Sequence, residues 1–92
     1  MAYRVEVAKR AEEQLAKLNK KDLLLVAHAI DELEQCENPC ALPNAKKLQD
    51  VEDGWRWRVG VYRLLGVVDG DRLIIELFKV GNRRDVYRNL NQ

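Results

Sequence analysis

Apolar and polar residues alternate with period two across residues 2–7, AYRVEV, which predicts a strand. The period then lengthens. Ala8, Ala11, Leu15 and Leu18 recur at helical spacing and predict a short amphipathic helix. Asn19, with Asp22 three residues on, resembles a capping arrangement that opens a second helix, whose apolar stripe is Leu23, Val26, Ala27, Ile30 and Leu33. Pro39 and Pro43 end that helix, and ENPCALPN over 37–44 reads as loop. The single histidine, His28, falls inside the second helix away from other reactive groups and reads as a structural or surface residue.

From residue 46 the pattern changes to strands. WRWRV, YRLLGVV and RLIIELFKV are joined through Gly60-Val61 and Asp69-Gly70, which suit type II′ and type I′ hairpin turns respectively. Those turns dictate a register, and register dictates which side chains share a face. In the first hairpin Val59 faces Tyr62, Arg58 faces Arg63, Trp57 faces Leu64 and Arg56 faces Leu65. In the second, Val68 faces Asp71, Val67 faces Arg72, Leu65 faces Ile74 and Arg63 faces Glu76. One side of the sheet then collects Trp55, Trp57, Val59, Tyr62, Leu64, Val68, Leu73, Ile75 and Leu77, a surface that two amphipathic helices can cover. The other collects Arg56, Arg58, Arg63, Leu65, Val67, Arg72, Ile74, Glu76 and Phe78.

Composition narrows the class. Ninety-two residues make one domain, 1–92, and the apolar and charged fractions of 47% and 34% belong to a folded chain rather than a disordered one. No apolar run approaches the roughly 20 residues that span a bilayer, and MAYRVEVAKR lacks the apolar stretch of a secretion signal, so a cytoplasmic location without membrane contact is expected. Cys36 and Cys40 match no common zinc or redox spacing and read as free thiols; with one histidine in the chain, neither a metal nor a cofactor is expected. The net charge of +1 hides an asymmetry. Residues 1–53 carry eight Lys/Arg against eleven Asp/Glu, whereas 54–92 carry eight against four, and seven of those eight are arginine. Guanidinium groups bind phosphates and carboxylates bidentately and keep their charge at any biological pH.

Arg58 and Arg63 opposite each other, with Arg56 beside them, form a like-charged cluster that destabilises a bare sheet and gains when an anion arrives. Two structural readings stand beside that one: Glu76 neutralises Arg63, or the arginine stems shield Leu65, Ile74 and Phe78. In the tail VGNRRDVYRNL, Gly81 offers a bend, and Asn82 with Asp85 is able to cap a short helix that puts Arg83 and Tyr87 on one side. Neighbouring positive charges favour the phenolate, which makes Tyr87 a proton acceptor unless it only packs and hydrogen-bonds.

YRVEVAKRAEEQLAKLNKK, then AKKL, WRWRVGVYRLL and FKVGNRRDVYR in that order resemble the RelE/ParE toxin superfamily of toxin–antitoxin pairs, on its RelE side, over nearly the whole chain. The resemblance implies a small α+β fold, an antiparallel β-sheet with two N-terminal helices packed on one face and a short C-terminal helix. It also implies a ribosome-dependent, metal-independent endoribonuclease that cuts mRNA in the A site by attack of a ribose 2′-hydroxyl on the adjacent phosphate. A RelB-like antitoxin neutralises such a toxin and links it indirectly to operator DNA. Carried over by motif, the active-site residues are Arg56, Arg58, Arg63, Arg83 and Tyr87, of which Arg63, Arg83 and Tyr87 are expected to be catalytic; Arg56 and Arg58, joined by Lys46 and Lys47, are expected to bind RNA phosphates.

The sequence departs from the family pattern in two places. Asn82 stands where many relatives have histidine, and Arg56 and Arg58 stand where some have lysine. Arginine does not exchange protons near neutrality, so the acid for the leaving oxygen is unassigned. Lys46, Lys47 and Lys79 are the alternatives, each reading first as a solvated charge. Two other functions fit the same fold: a ParE-type binder that poisons gyrase by contact, and a catalytically degenerate antitoxin-binding co-repressor.

Overall fold

In the computed structural model, which describes residues 2–84, the strand β1 (Arg4–Val7) is followed by the helices α1 (Lys9–Ala16) and α2 (Lys20–Gln35) and a single 3₁₀ turn over Pro39–Ala41. Four further strands complete the sheet: β2 (Ala45–Lys47), β3 (Gly54–Val59), β4 (Tyr62–Asp69) and β5 (Ile74–Asn82). The order across the sheet is β1-β5-β4-β3-β2.

The sheet is mixed, which corrects the expected all-antiparallel arrangement. β1 runs parallel to β5, Val5 opposite Ile75 and Val7 opposite Leu77, while the other three pairings are antiparallel. The first strand leaves through two helices rather than a hairpin, and a long crossover of this kind is what a parallel neighbour requires. Beyond Val7 the β5 edge is closed by α1, where the Gln14 side chain accepts from the Val80 N–H at 2.7 Å. Glu34 of α2 likewise accepts from the Val5 N–H at 3.0 Å.

Both helices cover one face of the sheet. Ala11, Val26 and Leu33 pack there with Trp57, Val59, Leu64, Ile75, Leu77 and Val80. Asn19 caps α2 as its sequence implies, accepting from the Asp22 N–H at 2.8 Å. The inward stripe of α2 is Val26, Ala29, Ile30 and Leu33, however; Leu23 and Ala27 of the expected stripe are exposed. Trp57 has no solvent exposure and donates its indole N–H to the Pro39 carbonyl at 3.0 Å, tying the 3₁₀ turn to the core.

The two hairpins differ. Gly60, at φ 60°, and Val61 make the tight first turn, consistent with type II′, and β3 and β4 pair as their alternation dictates, Val59 with Tyr62 through Arg56 with Leu65. The second connection is a four-residue loop, not an Asp-Gly turn. The Asp69 carboxylate accepts from the N–H groups of Asp71 and Arg72 at 3.1 and 3.0 Å, winding a wider turn that ends on Leu73 at φ 55°. Ile74 therefore pairs with Asp69, and Glu76 faces Val67 instead of Arg63. An irregularity between Leu65 and Gly66 inserts one residue into β5, after which Leu65 pairs with Lys79 and Arg63 with Gly81. The displacement before the irregularity is an even number of residues, so Ile75 and Leu77 still point into the core.

Candidate nucleic-acid interface

Alternation on β3 sends Trp55 and Trp57 toward the helices and Arg56 and Arg58 away from them, which is why the chain interleaves the two residue types. Pairing extends this cationic face sideways. Lys46 of β2 lies opposite Arg56, and Arg58 lies opposite Arg63 of β4. Arg83 follows β5, and its backbone N–H donates to the Val61 carbonyl at 2.7 Å, which brings it to the β3–β4 tip beside Arg58 and Arg63. Lys47 occupies the Trp55 row and so takes the opposite alternation from Lys46. It nevertheless borders, with Lys46, Leu48, Gln49 and Arg56, a depression of about 310 Å³ at the β2 edge.

Among the described residues no carboxylate pairs with Lys46, Arg56, Arg58, Arg63 or Arg83. Arg4 and Glu6 form an ion pair at 3.1 Å, but on the opposite flank of the sheet. Backbone carbonyls orient two of the arginines instead. Arg56 Nη1 donates to the Asn44 carbonyl at 3.1 Å, and Arg63 Nη1 donates to the Gly60 and Tyr62 carbonyls at 3.0 and 2.9 Å. A guanidinium has five N–H donors, so both keep donors for an anion. Arg58 is exposed, and its side chain donates to nothing among the described residues.

Asn44 is a supporting residue the sequence did not reveal. Its carbonyl also accepts from the Arg58 N–H at 3.0 Å, and its side-chain amide donates to the Arg58 carbonyl at 2.8 Å. It thus extends the ladder beside β3 and holds both arginines in place, although in sequence it is one residue of a proline-rich loop. Its position just before β2 was the available signal.

Lys79 corrects another expectation. It shares a row with Arg56 and Leu65 but is only 7% exposed, so it is no solvated charge. Burial lowers its pKa, and the positive charge of Arg10 adds to the effect. Tyr62, at the end of β4, is held on the helix side by donating its hydroxyl to Asp22 at 2.6 Å, and that hydrogen bond, with burial and the Asp22 charge behind it, raises its pKa. Cys36 and Cys40 are free thiols whose pKa values are raised, first by burial. His28 is exposed on α2. Tyr87 and the C-terminal helix expected around it lie outside the described residues.

The family model for the ParE toxin of type II toxin–antitoxin systems, parDE, matches residues 5–87. This chain belongs to the RelE/ParE toxin family. The five positions carried over by motif, from Arg56 to Tyr87, and the two lysines expected beside them, Lys46 and Lys47, fall within the toxin's matched span. None of the curated proteins matches it. Among solved structures, the toxin is similar to a chain of the RelBE2 toxin–antitoxin complex from Mycobacterium tuberculosis, with 26% identity and a TM-score of 0.75 over 90% of this chain and 100% of that one. It is similar to a chain of the archaeal RelE–RelB complex from Pyrococcus horikoshii OT3, with 27% identity and a TM-score of 0.75 over 94% and 100%. A mutant of the E. coli toxin RelE in the free state matches with 25% identity and a TM-score of 0.71 over 89% and 84%. No helix among the toxin's described residues is long and apolar enough to cross a membrane.

Proposed function

We propose that the toxin is a ribosome-dependent mRNA endoribonuclease of the RelE type, acting in the cytoplasm and neutralised by a RelB-like antitoxin. One observation carries the reading: Lys46, Arg56, Arg58 and Arg63 lie on the face away from the helices, with Arg83 anchored at the same hairpin tip and no carboxylate among the described residues paired to them. A cationic cluster without internal counterions is matched to a polyanion. It is equally suited to the charge that builds on phosphate oxygens as a nucleophile adds.

In the proposed reaction the ribose 2′-oxygen forms a bond to the adjacent phosphorus, the bond from phosphorus to the 5′-oxygen breaks, and a 2′,3′-cyclic phosphate and a 5′-hydroxyl result. Arg63 and Arg83 stabilise the phosphorane oxygens, while Arg56, Arg58, Lys46 and Lys47 hold flanking phosphates. Tyr87, assigned by motif, accepts the 2′-hydroxyl proton, and solvent water protonates the departing 5′-oxygen. Arginine supplies electrostatic stabilisation without exchanging protons, so no step of this scheme runs through a metal. The substrate must carry a 2′-hydroxyl, and DNA is left intact.

Expression of the wild-type chain and of Arg63→Ala, followed by primer extension on cellular transcripts, tests the proposal. Growth arrest with codon-dependent breaks that Arg63→Ala abolishes is the expected result. The matching family model bears the ParE name, which favours gyrase poisoning as the second reading. Arrest with DNA damage and intact transcripts would establish that reading instead.

A further inference from the structure

The depression at the β2 edge differs from the rest of the cationic face, because its lining is not all charge. Lys46, Lys47 and Arg56 are joined there by Leu48 and Gln49. At about 310 Å³ it lies at the small end of the roughly 300–1,000 Å³ that ligand pockets span. It takes one small group, not a duplex.

The two ends are held differently. At one, Lys46 lies opposite Arg56, whose guanidinium is oriented by the Asn44 carbonyl at 3.1 Å. At the other, the Leu48 N–H donates to the Gly54 carbonyl at 2.9 Å, which carries the pairing one residue past β2 and puts Leu48 on the same side as Lys46. Gln49 then enters a tight turn. The Gly54 N–H donates to the Val51 carbonyl at 2.9 Å, a Cβ on Gly54 would stand 2.7 Å from the Val51 Cβ, and the Asp53 carbonyl accepts from the Val68 N–H at 3.0 Å. Gln49 therefore departs from a fixed frame, while its side chain is exposed and bonds to nothing among the described residues. Asp50, Glu52 and Asp53 follow it, all exposed, and their charge repels a phosphate from that end.

An occupant must be anionic beside Lys46 and Arg56, apolar over Leu48, and neutral with hydrogen-bonding groups beside Gln49. A nucleotide of single-stranded RNA offers a phosphate, a flat base and a base edge in that order. A primary amide presents a donor and an acceptor side by side, the pattern that pairs with N7 and N6 of adenine. Arg56 is two residues along β3 from Arg58, about 7 Å, so the depression adjoins the phosphate position beside Arg63. We infer that it binds a nucleotide next to the scissile bond and that Gln49 selects adenine there, with the phosphate on Lys46 and Arg56 and the base against Leu48. The inference rests on the proposed RNA-cleaving function and adds a base preference set by the toxin's own side chain. Phosphate contacts position the strand; the amide reads it.

Two measurements on the full chain test this. In the first, purified Arg63→Ala toxin is titrated with fluorescein-labelled ribo-oligonucleotides UUAUU, UUCUU, UUGUU and UUUUU. UUAUU is expected to bind at least about fivefold more tightly than the others. Adding Gln49→Leu should abolish that ratio, and Gln49→Glu should move it to UUCUU, because a carboxylate accepts from the cytosine amino group. Lys46→Ser should weaken all four alike, as loss of a phosphate contact does. Circular dichroism checks that these exposed substitutions leave the fold intact. In the second, 5′-end sequencing of transcripts from cells expressing the toxin should place adenine beside the breaks, and Gln49→Leu should erase that bias. Equal affinity for the four oligonucleotides, or an adenine preference that survives Gln49→Leu, overturns the inference. Failure of the nuclease reading is seen separately, as transcripts that stay intact while the oligonucleotide preference stands.

Discussion

Trp57 and Arg58 are neighbours on β3, yet the first has no solvent exposure and donates to the Pro39 carbonyl, while the second is exposed and its side chain donates to nothing among the described residues. The same contrast runs across the sheet. Toward the helices lie Leu64, Ile75, Leu77 and Val80; away from them lie Lys46, Arg56, Arg58 and Arg63. One face holds the molecule together and the other holds charge that the fold would be steadier without. Because side chains on a strand alternate, the two tasks are interleaved in sequence and still separable by substitution.

Trp57→Ala should break the first face. Loss of a fully buried indole costs about 3–5 kcal/mol, enough to unfold a small domain near physiological temperature, and chemical denaturation measures it. On the other face, Arg63→Ala should cut mRNA cleavage by about 10²–10³-fold, as removal of one stabiliser of a developing oxyanion does. Its unfolding midpoint should stay near wild type. Arg58→Ala sharpens the contrast further, because removing a like charge from the Arg58–Arg63 pair is expected to raise stability by a few tenths of a kcal/mol while lowering activity.

Gly66 tests how tightly the sheet is packed between the two faces. A Cβ there would sit 3.0 Å from both the Glu76 carbonyl oxygen and Leu77 Cδ2, so Gly66→Ala should cost about 1–3 kcal/mol by overpacking. The smallest effect concerns Tyr62. Its folded-state pKa is raised above the ordinary 10.0, chiefly by the hydrogen bond to Asp22, so its contribution is complete below pH 10 and falls as pH climbs through the folded value. Thermal melts from pH 9 to 11 should show that decline in wild type and a shallower one in Tyr62→Phe.

Local chemistry explains which parts of this architecture were legible in the chain. The Asn19 cap, the Gly60-Val61 turn and the split between indoles and guanidiniums each depend on residues close in sequence, and each is present. The second hairpin was not legible, since Asp69-Gly70 admits a tight turn on paper while the Asp69 side chain instead winds a longer one. That choice moved Glu76 away from Arg63 and left the cluster without the counterion it seemed to have. β1 beside β5 and the burial of Lys79 are long-range outcomes, set by how the helical crossover returns and by what packs over the sheet. Leu23 misled for a related reason: helical spacing identifies an apolar stripe but not which edge of it faces solvent.

The outermost strands carry one more consequence. β1 and β2 are four and three residues long, and β2 carries Lys46 and Lys47 on adjacent positions. A short, charged border gives a neighbouring chain little backbone on which to template, so copies crowded together should resist stacking into fibres even though five strands lie side by side within each.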